Sequence, residues 1–334
     1  MGANTIKDIS IWMNHNIKKK QIKKLFNVEF IKAPSYPSLQ KYFAALDHEE
    51  LEQAFVKWTK NNLDKFGIKT EGELLSADGK VLRGSAHKGK KAFQVLNLIL
   101  ANYGIIVGHK KITDKSNEIP AFYDIIKDLD EGFIYLFDAL NTQKKNLDEI
   151  ENKGAKYVAK VKDNQKTLFD KIDKVSQTKE PCSIYEAPDI CQGNQWINRK
   201  VSVFTNDSCF YHNGMTHIRS IIKTLKTTQE VDKKTGEIKI KKNISFSIAN
   251  FRQDAKFFHD TMLKEWKVET MHFFKDTTFR EDEHTAYKNP MVFTIIRSFA
   301  INTLMFNGVK KVKETIKNLS YCVTDALVKF LKVS

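Results

Sequence analysis

Cysteine is scarce. The 334 residues carry four, Cys182, Cys191, Cys209 and Cys322, and no two form a CxxC pair. A zinc site is therefore unsupported, and a disulfide framework does not suit so long a chain with so few thiols. A reducing, cytoplasmic setting is the expectation. No run of about 18 apolar residues occurs, so no membrane span is expected. The first residues, MGANTIKDISIWMNHNIKKK, lack the apolar core of a signal peptide. There is no P-loop, no GxGxxG and no Ser/His/Asp order, so phosphate-loop, dinucleotide and triad chemistries have no footing. No internal repeat is found.

What is present begins with charge. Lys and Arg number 55 against 40 Asp and Glu, a formal net charge of +15. Such an excess favours a polyanionic partner through counterion release and steering; nucleic acid and an anionic membrane surface are the two candidates. Hydrophobic residues at 41% and aromatics at 11% allow a large buried core. The length suits one large domain or two to three ordinary ones.

Residues 1–70 read as helical and basic. The stretch Ala33-Pro34-Ser35-Tyr36-Pro37 breaks the pattern, Ser38 is a candidate N-cap, and Leu39, Tyr42, Phe43 and Leu46 follow at helical spacing. A second helix is expected from Asp47, with Leu51, Ala54, Phe55 and Trp58 on one face. From residue 73 the texture changes to strands. Leu74–Ala77 leads into Asp78; Phe93–Leu100 and Ile105–Ile112 are parted by the turn Asn102-Tyr103-Gly104. A helix with Phe122, Ile125, Ile126 and Leu129 follows. The apolar run Phe133–Phe137 ends at Asp138 and suits a strand covered on both faces. A helix from about Thr142, a strand at Tyr157–Val161 and a helix from Asn164 complete the series. The order β-β-β-α-β-α-β-α is that of an RNase H-like α/β fold: a mixed five-stranded sheet flanked by helices. Residues of about 176–250 read as a β-rich insertion, and helices resume near Asp254. The expected domains are 1–70 (helical, DNA-binding), 71–310 (catalytic, containing the insertion) and 311–334 (C-terminal helix).

Three acids carry the chemistry of interest. Asp78 and Asp138 each close a strand, where a carboxylate is costly unless something pairs with it. A divalent metal would do so; a turn or helix cap is the simpler alternative for either Asp alone. Glu269 shares a helix face with Met262, Trp266 and Phe273, and His272 and Asp276 lie on or near the same stripe. An acid on that face needs a metal or a basic partner. Taken together, the three acids could hold two metal ions ~3.5–4 Å apart around a scissile phosphate.

The boxes around these acids resemble insertion-sequence DDE transposases of the H-repeat-associated (ISAs) type. Asp78-Gly79-Lys80-Val81-Leu82-Arg83-Gly84-Ser85 is similar to that family's "DGKxxRGS" box, and Lys115–Ala121 to its "KSNEIPA" box. Asp138-Ala139 with Gln143-Lys144 resembles "DA…QK", Gly154–Val158 "GADYV", and Lys162–Gln165 "KxNQ". Further on, Trp266, Glu269, Asp276, Phe279, Glu281 and Asp282 match the third segment, while Leu263, Glu265 and Thr270 stand where the family has Arg, His and Asn. Inside the insertion, Asn194–Arg199 replaces an "HGRIExR" box.

The resemblance implies catalytic, metal-holding roles for Asp78, Asp138 and Glu269, with two Mg²⁺ or Mn²⁺ ions, and cut-and-paste strand transfer on double-stranded DNA by a dimer on paired ends. Lys80, Arg83, Lys115 and Lys162 would suit phosphate contacts, which position DNA without reading sequence; Asn164 and Gln165 join them as candidate DNA contacts. Trp196 could stack on a base or sit in the insertion's core. Two other readings stay open. One is a transposase-derived DNA-binding protein without catalysis, suggested by the departures around Glu269. The other is an RNase H-like nuclease that cuts without joining.

Overall fold

The computed structural model describes residues 4–18, 22–23, 27–89, 91–112, 118–128, 132–205, 217–232, 235–283 and 288–321; side-chain placement is not described at 118–119, 127–128, 265–270 and 320–321. The chain divides into two compact units. The first is Met1–Lys69, Asp78–Ala121 and Lys267–Ser334; the second is Thr70–Ala77 and Phe122–Trp266.

The first unit opens with α1 (Ile6–Lys18), α2 (Tyr36–Ala45) and α3 (His48–Lys65). The N-cap of α2 is Ser35, not Ser38: its side chain accepts from the Ser38 N–H, and Pro37 sits in the first turn, where a missing donor costs nothing. Asp47 caps α3 as expected, accepting from the Glu49 and Glu50 amides. Phe55 is fully buried and Leu51 and Trp58 partly so, but Ala54 is exposed.

Strand β1 (Leu74–Leu82) does not stop before Asp78; it runs on through the acid and Lys80. β2 (Phe93–Leu100) and β3 (Ile105–Ile112) form an antiparallel hairpin. Gly104 makes the turn at φ +68, a region open to glycine. In this unit the strand order is β3-β2-β1. The helix α8 (Pro290–Phe306) is buried almost all round and packs on α3 and β3. Its Met291, Ile295, Ile301 and Leu304 join Phe55, Leu82, Val95, Ile99, Met271 and Phe279 in one core. The helix α9 (Val312–Tyr321) follows; the rest of the expected C-terminal helix lies outside the described residues.

The second unit contains a mixed sheet flanked by helices. The first half of β1 pairs parallel with β4 (Ile134–Phe137), and β4 pairs parallel with β5 (Lys156–Val161). All four residues of β4 are buried, as the continuous apolar run predicted. Helix α4 (Glu118–Asp128) buries Phe122, Ile125 and Ile126; Leu129 lies outside the described residues. Helices α5 (Lys144–Asn152) and α6 (Lys166–Thr178) follow β4 and β5, α6 preceded by a 3-10 turn at Asp163–Gln165.

The sheet is not five-stranded: β5 is not its edge, because the insertion adds strands to it. The insertion comprises β6 (Ser183–Glu186), β7 (Ile190–Gln192), β8 (Gln195–Thr205), β9 (Ser220–Val231) and β10 (Ile238–Ala249). β10 pairs antiparallel with β5, Phe246 opposite Val161, and the sheet continues β10-β9-β8-β6. The physical reason is that an uncovered apolar strand with free backbone groups invites a partner. The β9–β10 ribbon leaves Ile238, Ile240 and Ile244 exposed.

Candidate active site and its supporting network

Asp78 and Asp138 fall in different units. Asp78 stands mid-strand in β1, its side chain 40% exposed. On one side, His272 of α7 (Ala255–Thr277) brings Nδ1 to 3.3 Å from Asp78 Oδ2. The ring's other nitrogen faces Asn97 Nδ2 at 3.4 Å, and Asn97 Oδ1 accepts from Lys275 Nζ at 2.9 Å. An ammonium has only protons to give, so it fixes the amide: Oδ1 toward Lys275, Nδ2 toward the ring. The ring then accepts at Nε2, and its proton sits on Nδ1, toward Asp78. Burial, with the Lys275 and Lys80 ammonium groups, pushes His272 down to about 3, so the ring is neutral. The Glu281 carboxylate opposes this shift.

Lys275 lies deeper. It occupies the middle of the buried stripe Met271, Lys275, Phe279 and is fully enclosed. Burial lowers it to about 8, opposed by the nearby Glu281 carboxylate. Glu281 is itself buried; Arg297 Nη1 lies 3.6 Å from its Oε1, which also accepts from Thr294 Oγ1. Lys275 and Arg297 together hold the Glu281 carboxyl below its ordinary value against the cost of burial. The same unit buries His109, with Nδ1 2.8 Å from Glu52 Oε2 and Nε2 2.8 Å from Ser298 Oγ. Burial lowers that histidine as well.

Two of the sequence boxes meet here. Lys80, from the 78–85 box, is buried, and its ammonium is held by Asp276, with Asp282 3.9 Å away. Arg83 Nε lies 3.7 Å from Asp282 Oδ2, with the guanidinium mostly in solvent. Ser85 Oγ donates to Leu82 O and accepts from Phe93 N–H, tying the box to β2. Lys80 is thus engaged inside the protein, whereas Arg83 remains available at the surface.

Asp138 closes β4 and is held by neutral groups. Its Oδ1 accepts from the Asn141 N–H at 2.9 Å, and its backbone carbonyl accepts from the Thr142 amide and hydroxyl. Asn164 Nδ2 donates to Ala139 O at 2.7 Å, and Gln165 Nε2 donates to Thr142 O. Both amides brace the loop behind Asp138. Lys162 is exposed beside them.

Glu269 lies within α7, but its side chain is outside the described part, as is that of Trp266. Lys115 lies outside the described residues. Phe273, placed with Glu269 on one apolar face, is 59% exposed. The face that is buried in the second half of α7 is turned toward Met271 and Lys275. Trp196 is 48% exposed on β8 and is not a core residue. Asp78 and Asp138 offer carboxylate oxygens, the donors that Mg²⁺ prefers, and Asp78 is open to solvent on one side. Among the described residues no three His, Cys, Asp or Glu side chains form a ready metal cluster. Sequence reasoning missed His272, Asn97 and Lys275 as supports of Asp78; only His272 had been placed near the apolar stripe that carries Glu269.

Residues 63–302 match the family model described as the transposase DDE domain, and the chain belongs to that family. It is similar to "Putative transposase YncI" of Escherichia coli O157:H7, at 24% identity over 88% of this chain and 78% of that one. It is also similar to "H repeat-associated putative transposase YhhI" of Escherichia coli K12, at 23% identity over 83% and 75%. A solved piggyBac transposase synaptic complex with hairpin DNA covers 97% of this chain and 78% of its own, at 11% identity and a TM-score of 0.43. That score is too low to carry an argument. Among the described residues no helix is long and apolar enough to cross a membrane.

Proposed function

We propose that the chain cuts and joins double-stranded DNA in cut-and-paste transposition of an insertion sequence, on an RNase H-like core, with Asp78, Asp138 and Glu269 as its carboxylate triad. The observation that carries this reading is the match of residues 63–302 to the transposase DDE domain, a span that holds all three acids. Family membership adds the expectation of a third acid, and Glu269 on α7 is the candidate; Lys80 ties β1 to that same helix through Asp276.

In this reading Asp78 and Asp138 hold divalent metal, and Glu269 completes the set. Mg²⁺ or Mn²⁺, when bound, would polarise the scissile phosphate and activate water or a 3′-OH. His272, with its proton on Nδ1, orients the Asp78 carboxylate; Asn164 and Gln165 keep the Asp138 loop in place. Arg83, Lys162 and Lys115 take the phosphate contacts, and two copies act on paired ends.

The test is cleavage of DNA carrying the element's own ends, with Mg²⁺ or Mn²⁺. Wild type should nick and join, and Asp138→Ala should lose activity at least about a hundredfold, equivalent to ~2.7 kcal/mol of barrier. Equal cleavage by both proteins would sink the reading. Tight DNA binding with no cleavage by wild type would instead favour the non-catalytic alternative, which Leu263, Glu265 and Thr270 motivate.

A further inference from the structure

The first unit contains a groove of about 810 Å³, far from neutral in its chemistry. Among the described residues that line it, six of fifteen are basic and none is acidic: His48, His87, Lys88, Lys91, Lys111 and Lys288. They come from four separate stretches of chain, converging from the start of α3, the loop after the 78–85 box, β3 and the start of α8. All four lysines are exposed at the surface. Pockets for neutral metabolites of ~300–1,000 Å³ are mostly apolar with a few placed polar groups. This groove has the size of such a pocket and the charge pattern of a polyanion track.

Its walls are built rather than loose. Asn289 Nδ2 donates to the carbonyls of Phe43 and Leu46, joining the start of α8 to the end of α2. That amide is therefore turned away from its own helix, and α8 has no side-chain N-cap bond. The seventeen-residue helix presents its positive end at the groove. Lys111 Nζ lies 5.5 Å from the Phe93 ring centroid, which steadies its long stem. Lys88 adopts φ +44, a left-handed conformation that a lysine enters at a cost. The turn holds Lys88 in this strained shape beside Gly89, at φ +77.

We infer that this groove is a DNA-binding track, taking the phosphates of one backbone of a duplex and independent of the carboxylates. The inference rests on the reading that the chain handles DNA, and not on the triad. Its occupant is set by charge: clustered ammonium groups, with no carboxylate among the described lining residues, release counterions from a phosphate chain. The track would position DNA without reading its sequence.

The experiment measures duplex DNA binding by fluorescence anisotropy in EDTA, across a salt series, with the full chain. The groove variant is Lys88→Gln, Lys91→Gln and Lys288→Gln together. The control is Lys239→Gln, Lys241→Gln and Lys242→Gln, three exposed lysines on β10. Losing three phosphate contacts should lower the salt slope by about 2.7 and weaken binding on the order of a hundredfold at 0.15 M salt. The control should bind within about threefold of wild type, since surface charge far from a phosphate is screened. Thermal melting of each variant at the wild-type temperature shows that it folds.

Equal losses in groove and control variants would overturn the inference, because net charge alone would then explain binding. So would wild-type affinity in the groove variant, or displacement of DNA from wild type by micromolar nucleoside triphosphate, which would mark a small-anion pocket. Failure of the triad reading looks different: Asp138→Ala would cleave like wild type, while the groove variant would still bind poorly in EDTA.

Discussion

Asp78 and Asp138 are held in opposite ways. Around Asp78 the support is ionic and buried: Lys80 with Asp276 and Asp282, Lys275 and Arg297 with Glu281, and a neutral histidine between. Around Asp138 it is neutral: a backbone N–H and two side-chain amides. Buried ions bind firmly only while every partner is present, because the desolvation cost remains when one is removed. Amide bonds each contribute less, but none depends on proton occupancy near neutral pH. One acid therefore sits on a support that pH and single substitutions can upset, the other on a support that degrades gradually.

The sharpest way to break that contrast is Glu281→Gln. It leaves two buried cations, Lys275 and Arg297, without their carboxylate, and should cost about 3–5 kcal/mol in urea unfolding. A loss below about 1 kcal/mol would mean that the ionic side is no more brittle than the amide side.

Next in size is pH. Lys275 titrates near 8 in the folded chain against 10.5 for an ordinary lysine. Between those values the unfolded chain holds the extra proton, so stability must rise with pH. From pH 8 to 9.5 the gain should be up to about 1.5 kcal/mol, and Lys275→Met should abolish that slope. Measurements stay below pH 10, because burial raises the Tyr157 hydroxyl and an unfolded tyrosine ionises near there.

On the neutral side, Asn164→Ala removes one hydrogen bond to Ala139 O and should cost about 1 kcal/mol, with no change between pH 6 and 8. A pH-dependent loss would show hidden ionic support at Asp138. Smallest of all is Arg83→Ala: its guanidinium is 83% exposed, so the pair with Asp282 should be worth less than about 0.5 kcal/mol. Any measurable effect of that change should fall on DNA affinity rather than on unfolding.

Much of this was legible in the sequence where the information is local. The run Phe133–Phe137 announced a doubly covered strand, Asn102-Tyr103-Gly104 a hairpin turn, and Asp47 a helix start. What was hidden is non-local. A lysine on a helix reads as a solvated residue, and nothing near Lys275 signals that Asn97 and Glu281 will enclose it. Asp78 read as a strand end because Gly79 interrupts the apolar pattern, yet the strand continues to Leu82. Ser38 lost the cap to Ser35 because two serines three apart offer the same chemistry in mirrored roles. The insertion read as β-rich, but its pairing with β5 is a matter of backbone groups that composition does not reveal. The basic groove is assembled from residues 44 to 291, a span that no local pattern can join.

The bond between Lys80 and Asp276 spans 196 residues. On a ribosome, the surroundings of Asp78 cannot form until the chain has been made past residue 282, whereas residues 122–266 of the second unit are complete earlier. Loops of that length close slowly, and contacts so far apart in sequence form late. A prematurely terminated copy would carry Asp78, Asp138 and a folded second unit, yet Lys80 would have no partner. In this architecture residues about two hundred positions later in the chain decide when the first acid acquires its setting.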